Sequence, residues 1–125
     1  MSDIEYEELA ERLGDVTLID VRTPAEYSGE GGYPCCARHG HIPGARHIPV
    51  DEILGAADVR ELVGEPEGAE LVVYCHSGSR SARAAAALRK VGYNARNYGG
   101  SWHEWSRSPL AGIGSGPAEP GPGDA

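Results

Sequence analysis

Two spacings of apolar residues alternate along this chain. Tyr6, Leu9 and Leu13 recur at helical intervals and stop at Gly14, which predicts a short helix over Glu5 to Leu13. The run Val16-Thr17-Leu18-Ile19-Asp20-Val21 has no helical period and is rich in β-branched residues, as suits a strand covered on both faces. Thr23-Pro24-Ala25-Glu26 supplies a cap, a proline at the first helical position and a glutamate three places after the cap, so a second helix starts there. Residues 28–44 are Gly-, Pro- and His-rich without a period and read as a loop; Ala45 to Val50 returns to strand character, with Asp51 placed to cap a short helix. A further helix is expected over Asp58 to Val63, then a break from Gly64 to Gly68, then the clearest buried strand, Leu71-Val72-Val73-Tyr74. The Ala-rich run from Arg80 to Val91, with basic residues in its last turn and Gly92 beyond it, predicts the best helix. Ala95 to Tyr98 reads as a strand, and Gly99-Gly100-Ser101 leads into a helical turn bearing Trp102 and Trp105.

Strands alternating with helices predict an α/β fold, a parallel sheet with helices on both faces. Ligands of such sheets bind beyond the carboxyl ends of the strands, which directs attention to Cys75, directly after the best strand and before the best helix. A length of 125 residues allows one core and not two. Phe is absent, so aliphatic residues, two Trp and six Tyr must fill that core. Residues 111–125, AGIGSGPAEPGPGDA, bury too little apolar surface to offset chain entropy and are expected to be a disordered tail.

The formal net charge of -8 argues against nucleic acid or an anionic membrane surface as partner. The charge is uneven: Asp3, Glu5, Glu7, Glu8 and Glu11 crowd the N-terminus, whereas Arg80, Arg83, Arg89, Lys90 and Arg96 follow one another with no acid between them. An anionic ligand therefore belongs near residues 75–96. No apolar run approaches the roughly 18 residues of a membrane span, and the acidic N-terminus does not resemble a signal peptide. Three cysteines, two of them adjacent, make no even disulfide framework and suggest a reducing compartment, so a cytoplasmic monomer without a membrane association is expected.

A tight strand-to-helix loop turns successive backbone N–H groups inward, and with the helix dipole they form an anion-binding nest in which a thiolate is stabilised. A free cysteine titrates near about 8.5, and such surroundings bring it down to roughly 3.5–7.5. His76, Ser77, Gly78, Ser79, Arg80 and Ser81, rather than aliphatics, follow Cys75, which sets it apart from a small buried apolar cysteine at a strand end.

Four segments together resemble the rhodanese-type sulfurtransferases over about residues 4–107. They are Leu18-Ile19-Asp20-Val21-Arg22 with Pro24, Glu26 and Tyr27; Gly40-His41-Ile42-Pro43-Gly44-Ala45 with His47-Ile48-Pro49; Val72-Val73-Tyr74-Cys75 with the loop to Ser81; and Gly99-Gly100-Ser101-Trp102. The resemblance implies a rhodanese-like domain over residues 1–110, with a five-stranded parallel sheet flanked by helices on both faces. It also implies a Cys75 nucleophile that carries sulfane sulfur as a persulfide, and no cofactor. The expected partners are a small anionic donor such as thiosulfate and a thiophilic acceptor, cyanide or a thiol, including a protein thiol. The loop residues His76 to Ser81 are expected to bind substrate, with Arg80 as the loop's single cation. The loop resembles that of the small single-domain members, since His76 and Ser77 replace the residues of the large thiosulfate and mercaptopyruvate enzymes. A sulfur-carrier or regulatory module serving a protein partner is the alternative from another class. Phosphatases of related fold use Cys-x5-Arg, whereas Cys75 and Arg80 are spaced Cys-x4-Arg, one residue short for a tetrahedral oxyanion; an oxyanion hydrolase is the remote alternative.

Other constellations admit two readings. Asp20 and Arg22 are either a buried ion pair ordering the site's edge or, for Arg22, a substrate contact, with the ion pair favoured. Cys35, Cys36, His39 and His41 have the types of zinc ligands, but adjacent cysteines diverge and His41 belongs to the His-Ile-Pro-Gly turn, so no metal is expected; a resolving thiol for Cys75 is the other functional reading. Trp102 and Trp105 read as core.

Overall fold

A computed structural model describes residues 3–31 and 39–108. In chain order the elements are α1 (Tyr6–Arg12), β1 (Thr17–Asp20), α2 (Pro24–Ser28), β2 (Arg46–His47), α3 (Val50–Gly55), α4 (Val59–Val63), β3 (Glu70–Tyr74), α5 (Ser79–Lys90), β4 (Asn94–Asn97) and α6 (Ser101–Trp105). The strands form one parallel sheet in the order β2-β1-β3-β4, with Ile19 opposite Val73 and Val73 opposite Asn97.

Side-chain alternation along β1 and β3 builds a core on each face. Ile19, Leu71 and Val73 point to one side, where Ile53 of α3, Val63 of α4 and Ala84, Ala85 and Leu88 of α5 cover them. Leu18, Val72 and Tyr74 point to the other, against Leu9 of α1, Tyr27 of α2 and Trp102 and Trp105 of α6. Both tryptophans are core residues at 1% exposure. The small side chains of Ala84 and Ala85 let α5 lie close on the sheet, which brings its N-terminus over the end of β3.

Among the described residues the sheet has four strands rather than the expected five. Beyond β4 the chain makes one parallel bridge, Asp3 with Asn97, through Ile4 N–H to the Asn97 carbonyl at 3.1 Å. Among the described residues α1 starts at Tyr6, directly after Ile4 and Glu5, and ends the extended segment on that side. The second difference is at Ala45 to Val50, where only Arg46 and His47 are strand. Pro49 enters α3 as its N-cap, so Val50 already lies in the first turn, and Asp51 sits beside it without capping. Elsewhere the punctuation acts as its chemistry dictates: Thr23 and Glu26 form a reciprocal capping box on α2, and Asp58 caps α4 through Glu61 N–H. No helix among the described residues is long and apolar enough to cross a membrane. The tail at 111–125 lies outside the described residues.

Candidate active site

Strand parity aims the sulfur. Leu71, Val73 and Cys75 share the face covered by α5, so Cys75, one residue past β3, carries its Sγ beneath the start of that helix. Gly78 turns the chain into α5 with φ +103°, and a Cβ there would stand 2.7 Å from the Gly99 carbonyl oxygen. It is the N-cap of α5 and has no side chain to offer the helix; the Cys75 sulfur lies at this end, accepting the Gly78 N–H at 3.0 Å and facing the Ser81 N–H of the first turn.

The loop's outward carbonyls are held by α6. Trp102 N–H donates to the Cys75 carbonyl and His103 N–H to the His76 carbonyl, each at 2.9 Å. Cys75 N–H donates to Ser101 Oγ at 3.0 Å, and Ser101 Oγ donates to the Tyr98 carbonyl at 2.8 Å. Ser101 adopts φ +54°, the one non-glycine positive φ among the described residues. With carbonyls turned to α6, N–H groups face the sulfur. Burial pushes the Cys75 thiol up, but hydrogen bonding from the Ser81 hydroxyl and from the N–H groups of Ser81, Gly78 and Ser77 outweighs it and holds the thiol below its ordinary value. Cys75 is 1% exposed and is the free cysteine among the described residues.

Arg80 lies against Glu26 of α2, Nη1 to Oε1 at 2.9 Å and Nη2 to Oε2 at 3.1 Å. Burial pushes the Glu26 carboxyl up; Arg80 and Thr23 overcome this and hold it at about 2. The loop cation is therefore compensated. Arg22 is fully buried: its Nη2 donates to Asp20 Oδ2 at 2.7 Å and to the Gly40 carbonyl at 2.6 Å, and its guanidinium sits over the Trp102 ring at 5.0 Å. A cleft of about 250 Å³ between α2, α3 and α5 reaches Arg22 and Arg80, with Arg83 and Asp51 on its walls. Ser77 and Ser79 are exposed and the Ser81 hydroxyl is buried 3.3 Å from Sγ. His76 is half-buried with its ring edge-on to His103, centroids 5.6 Å apart; burial and that neighbour lower its pKa.

His41 serves structure, its ring stacked on Tyr27 at 3.8 Å and its Nδ1 on the Tyr27 carbonyl at 2.8 Å. Among the described residues no three His, Cys, Asp or Glu side chains are grouped to hold a metal ion, and Cys35 and Cys36 lie outside those residues. Three contributors escaped the sequence reading. In the sequence Ser101 shows no role of its own, Glu26 signals a helix cap, and Asn97, whose Nδ2 donates to the Gly78 carbonyl at 3.2 Å, carries no local signal.

The family model for the rhodanese-like domain matches residues 5–108. A putative thiosulfate sulfurtransferase, SseB, of Mycobacterium tuberculosis is 37% identical over 115 residues, covering 84% of this chain and 40% of the relative. The sulfur carrier protein TtuD of Thermus thermophilus is 38% identical over 118 residues, covering 80% and 41%. A crystal structure of a probable thiosulfate sulfurtransferase superposes with a TM-score of 0.80 at 41% identity, covering 95% of this chain and 48% of the other. The chain thus spans less than half the length of these relatives. With a family match running from α1 past α6, the chain belongs to the rhodanese-like domain family.

Proposed function

We propose that the domain is a sulfurtransferase that moves sulfane sulfur from a small anionic donor, thiosulfate or a similar compound, through a Cys75 persulfide to a thiophilic acceptor. The observation that carries this reading is the sulfur's position: Sγ lies at the start of a 12-residue helix, accepting the Gly78 N–H at 3.0 Å, with the Cys75 and His76 carbonyls held by α6. In the first half-reaction the Cys75 thiolate attacks the outer sulfur of thiosulfate, and sulfite leaves with the electron pair of the broken S–S bond. The terminal sulfur then bears the negative charge at the start of α5, where the N–H groups of Ser77, Gly78 and Ser81 already face the cysteine sulfur. In the second half-reaction cyanide or a thiolate attacks that terminal sulfur, forming thiocyanate or a new persulfide, and the electron pair of the S–S bond returns to Cys75.

His76, Ser77, Gly78, Ser79 and Ser81 line the approach, Arg80 steers the anionic donor and Arg22 stiffens the neighbouring strand end. Names of relatives support the assignment, a putative thiosulfate sulfurtransferase and a probable one. A relative named as a sulfur carrier supports a second acceptor class, a protein thiol, with the same first half-reaction. Single-turnover incubation with thiosulfate followed by intact mass tests the reading. One added sulfur atom, removed by cyanide and absent from Cys75→Ser, is expected; uptake that survives in Cys75→Ser overturns it.

A further inference from the structure

Ser81 carries one hydroxyl proton and faces three acceptors. Its Oγ lies 2.6 Å from Asn97 Oδ1, 3.2 Å from the Gly78 carbonyl and 3.3 Å from Cys75 Sγ. Asn97 is the last residue of β4 and is buried. A carbonyl oxygen only accepts, so the Asn97 atom facing the Gly78 carbonyl at 3.2 Å is the amide nitrogen, and Oδ1 is left to face Ser81. The Gly78 carbonyl also receives Ala82 N–H at 2.9 Å, so it has little need of the serine. Asn97 and the sulfur are then the two competitors for the Ser81 proton, and Asn97 has the short contact.

We propose that Asn97 is a positioning residue for the Cys75 sulfur, holding the Ser81 proton on its Oδ1 and the Gly78 carbonyl on its Nδ2, and so limiting how far the serine can solvate the thiolate. While Cys75 is a thiol, its S–H donates to Ser81 Oγ, which donates to Asn97. When the thiol proton leaves to solvent, Sγ becomes an acceptor, and the serine must break from Asn97 to serve it. The charged groups around the loop do not replace this link. Arg80 is paired with Glu26, Arg22 with Asp20, and His76 packs on His103. The remaining hydroxyl, Ser101 Oγ, is 4.0 Å from Sγ and donates to the Tyr98 carbonyl.

The role of Cys75 in turnover rests on the function proposed above, but the hydrogen-bond competition does not, and the test reads the two apart. In a Cys35→Ser/Cys36→Ser background, the rate of Cys75 alkylation by iodoacetamide is followed against pH, alongside single-turnover sulfur uptake from thiosulfate. Asn97→Ala is expected to raise the thiolate fraction near neutral pH by about two- to tenfold, the worth of one released hydrogen bond. Asn97→Leu, which fills the space without a polar atom, is expected to do the same should the alanine loosen the strand. Asn97→Asp is expected to lower it, since a carboxylate grips the serine proton harder and adds negative charge. In a Ser81→Ala background the Asn97→Ala effect is expected to vanish. Shifts of the same sign for Asn97→Ala and Asn97→Asp, or an Asn97→Ala effect that persists without Ser81, overturn the inference. Absence of sulfur uptake in the parent with these alkylation shifts intact refutes the sulfurtransferase reading and leaves the Asn97 role standing.

Discussion

Arg80 and Glu26 form a two-bond ion pair across the mouth of the loop, joining the start of α5 to the first turn of α2. The pair offsets part of the charge that the loop sequence offers to an anion. Arg80→Ala is expected to lower kcat/KM for thiosulfate by roughly 10–100-fold, about 1.5–3 kcal/mol for a charged hydrogen bond. Part of that loss belongs to the carboxylate left unpaired beside an anionic donor, so adding Glu26→Gln to Arg80→Ala is expected to recover some of it. Steady-state kinetics on the single and double variants checks this, and no recovery would mean that Arg80 acts on the donor alone.

Acid stability follows from the same carboxylate. The Glu26 pKa falls from 4.5 to about 2 in the folded protein. A group with a depressed folded pKa contributes stability that is full above its unfolded value and is lost as pH falls through its folded value. Melting temperature is therefore expected to drop more steeply between pH 4.5 and about 2 in the parent than in Glu26→Gln. Thermal scans at four or so pH values in that window measure the difference, and parallel curves would refute it.

Gly78 admits no side chain. A Cβ there meets the Gly99 carbonyl oxygen at 2.7 Å and the residue sits at φ +103°. Gly78→Ala is expected to cost about 1–3 kcal/mol and to slow sulfur uptake, because strain at this residue moves the N–H that reaches the sulfur. Urea denaturation and single-turnover uptake read the two effects.

Asp20 and Arg22 are a buried pair whose side chains are 0% and 2% exposed. Removing one partner strands a buried charge, so Arg22→Met is expected to cost about 3–5 kcal/mol. The double variant Asp20→Leu/Arg22→Met is expected to regain most of this in urea denaturation. Equal losses in single and double variants would show that the pair itself, rather than the uncompensated charge, carries the stability.

How much of this was legible depended on whether a feature is local. The run Leu71 to Tyr74 and the Ala-rich helix behind it carry their own periodicity, and their junction places Cys75 without any knowledge of the rest. β2 was overextended because Ala45 to Val50 is apolar enough for a strand, yet Pro49 starts α3 and leaves two strand residues. Among the described residues a single bridge at Asp3 is all that pairs beyond β4, with α1 beginning three residues later. Glu26 showed its cap, which lies within four residues, and hid Arg80, which lies 54 residues away. Asn97 reads as a polar residue in a short strand; only pairing of β4 beside β3 reveals that it faces the Gly78 loop.

The two amide bonds that begin α6, Trp102 N–H to the Cys75 carbonyl and His103 N–H to the His76 carbonyl, also tie the motions of distant segments together. To peel the loop away from the sulfur, both must break, and with them the seat of Trp102 in its core. Loop and α6 therefore open as one cooperative unit in hydrogen exchange, with the Trp102 and His103 amides among its reporters. Under the proposed function, an acceptor would then meet a rim held in place by α6, fitting its nucleophile to the cradle instead of drawing the cysteine out to meet it.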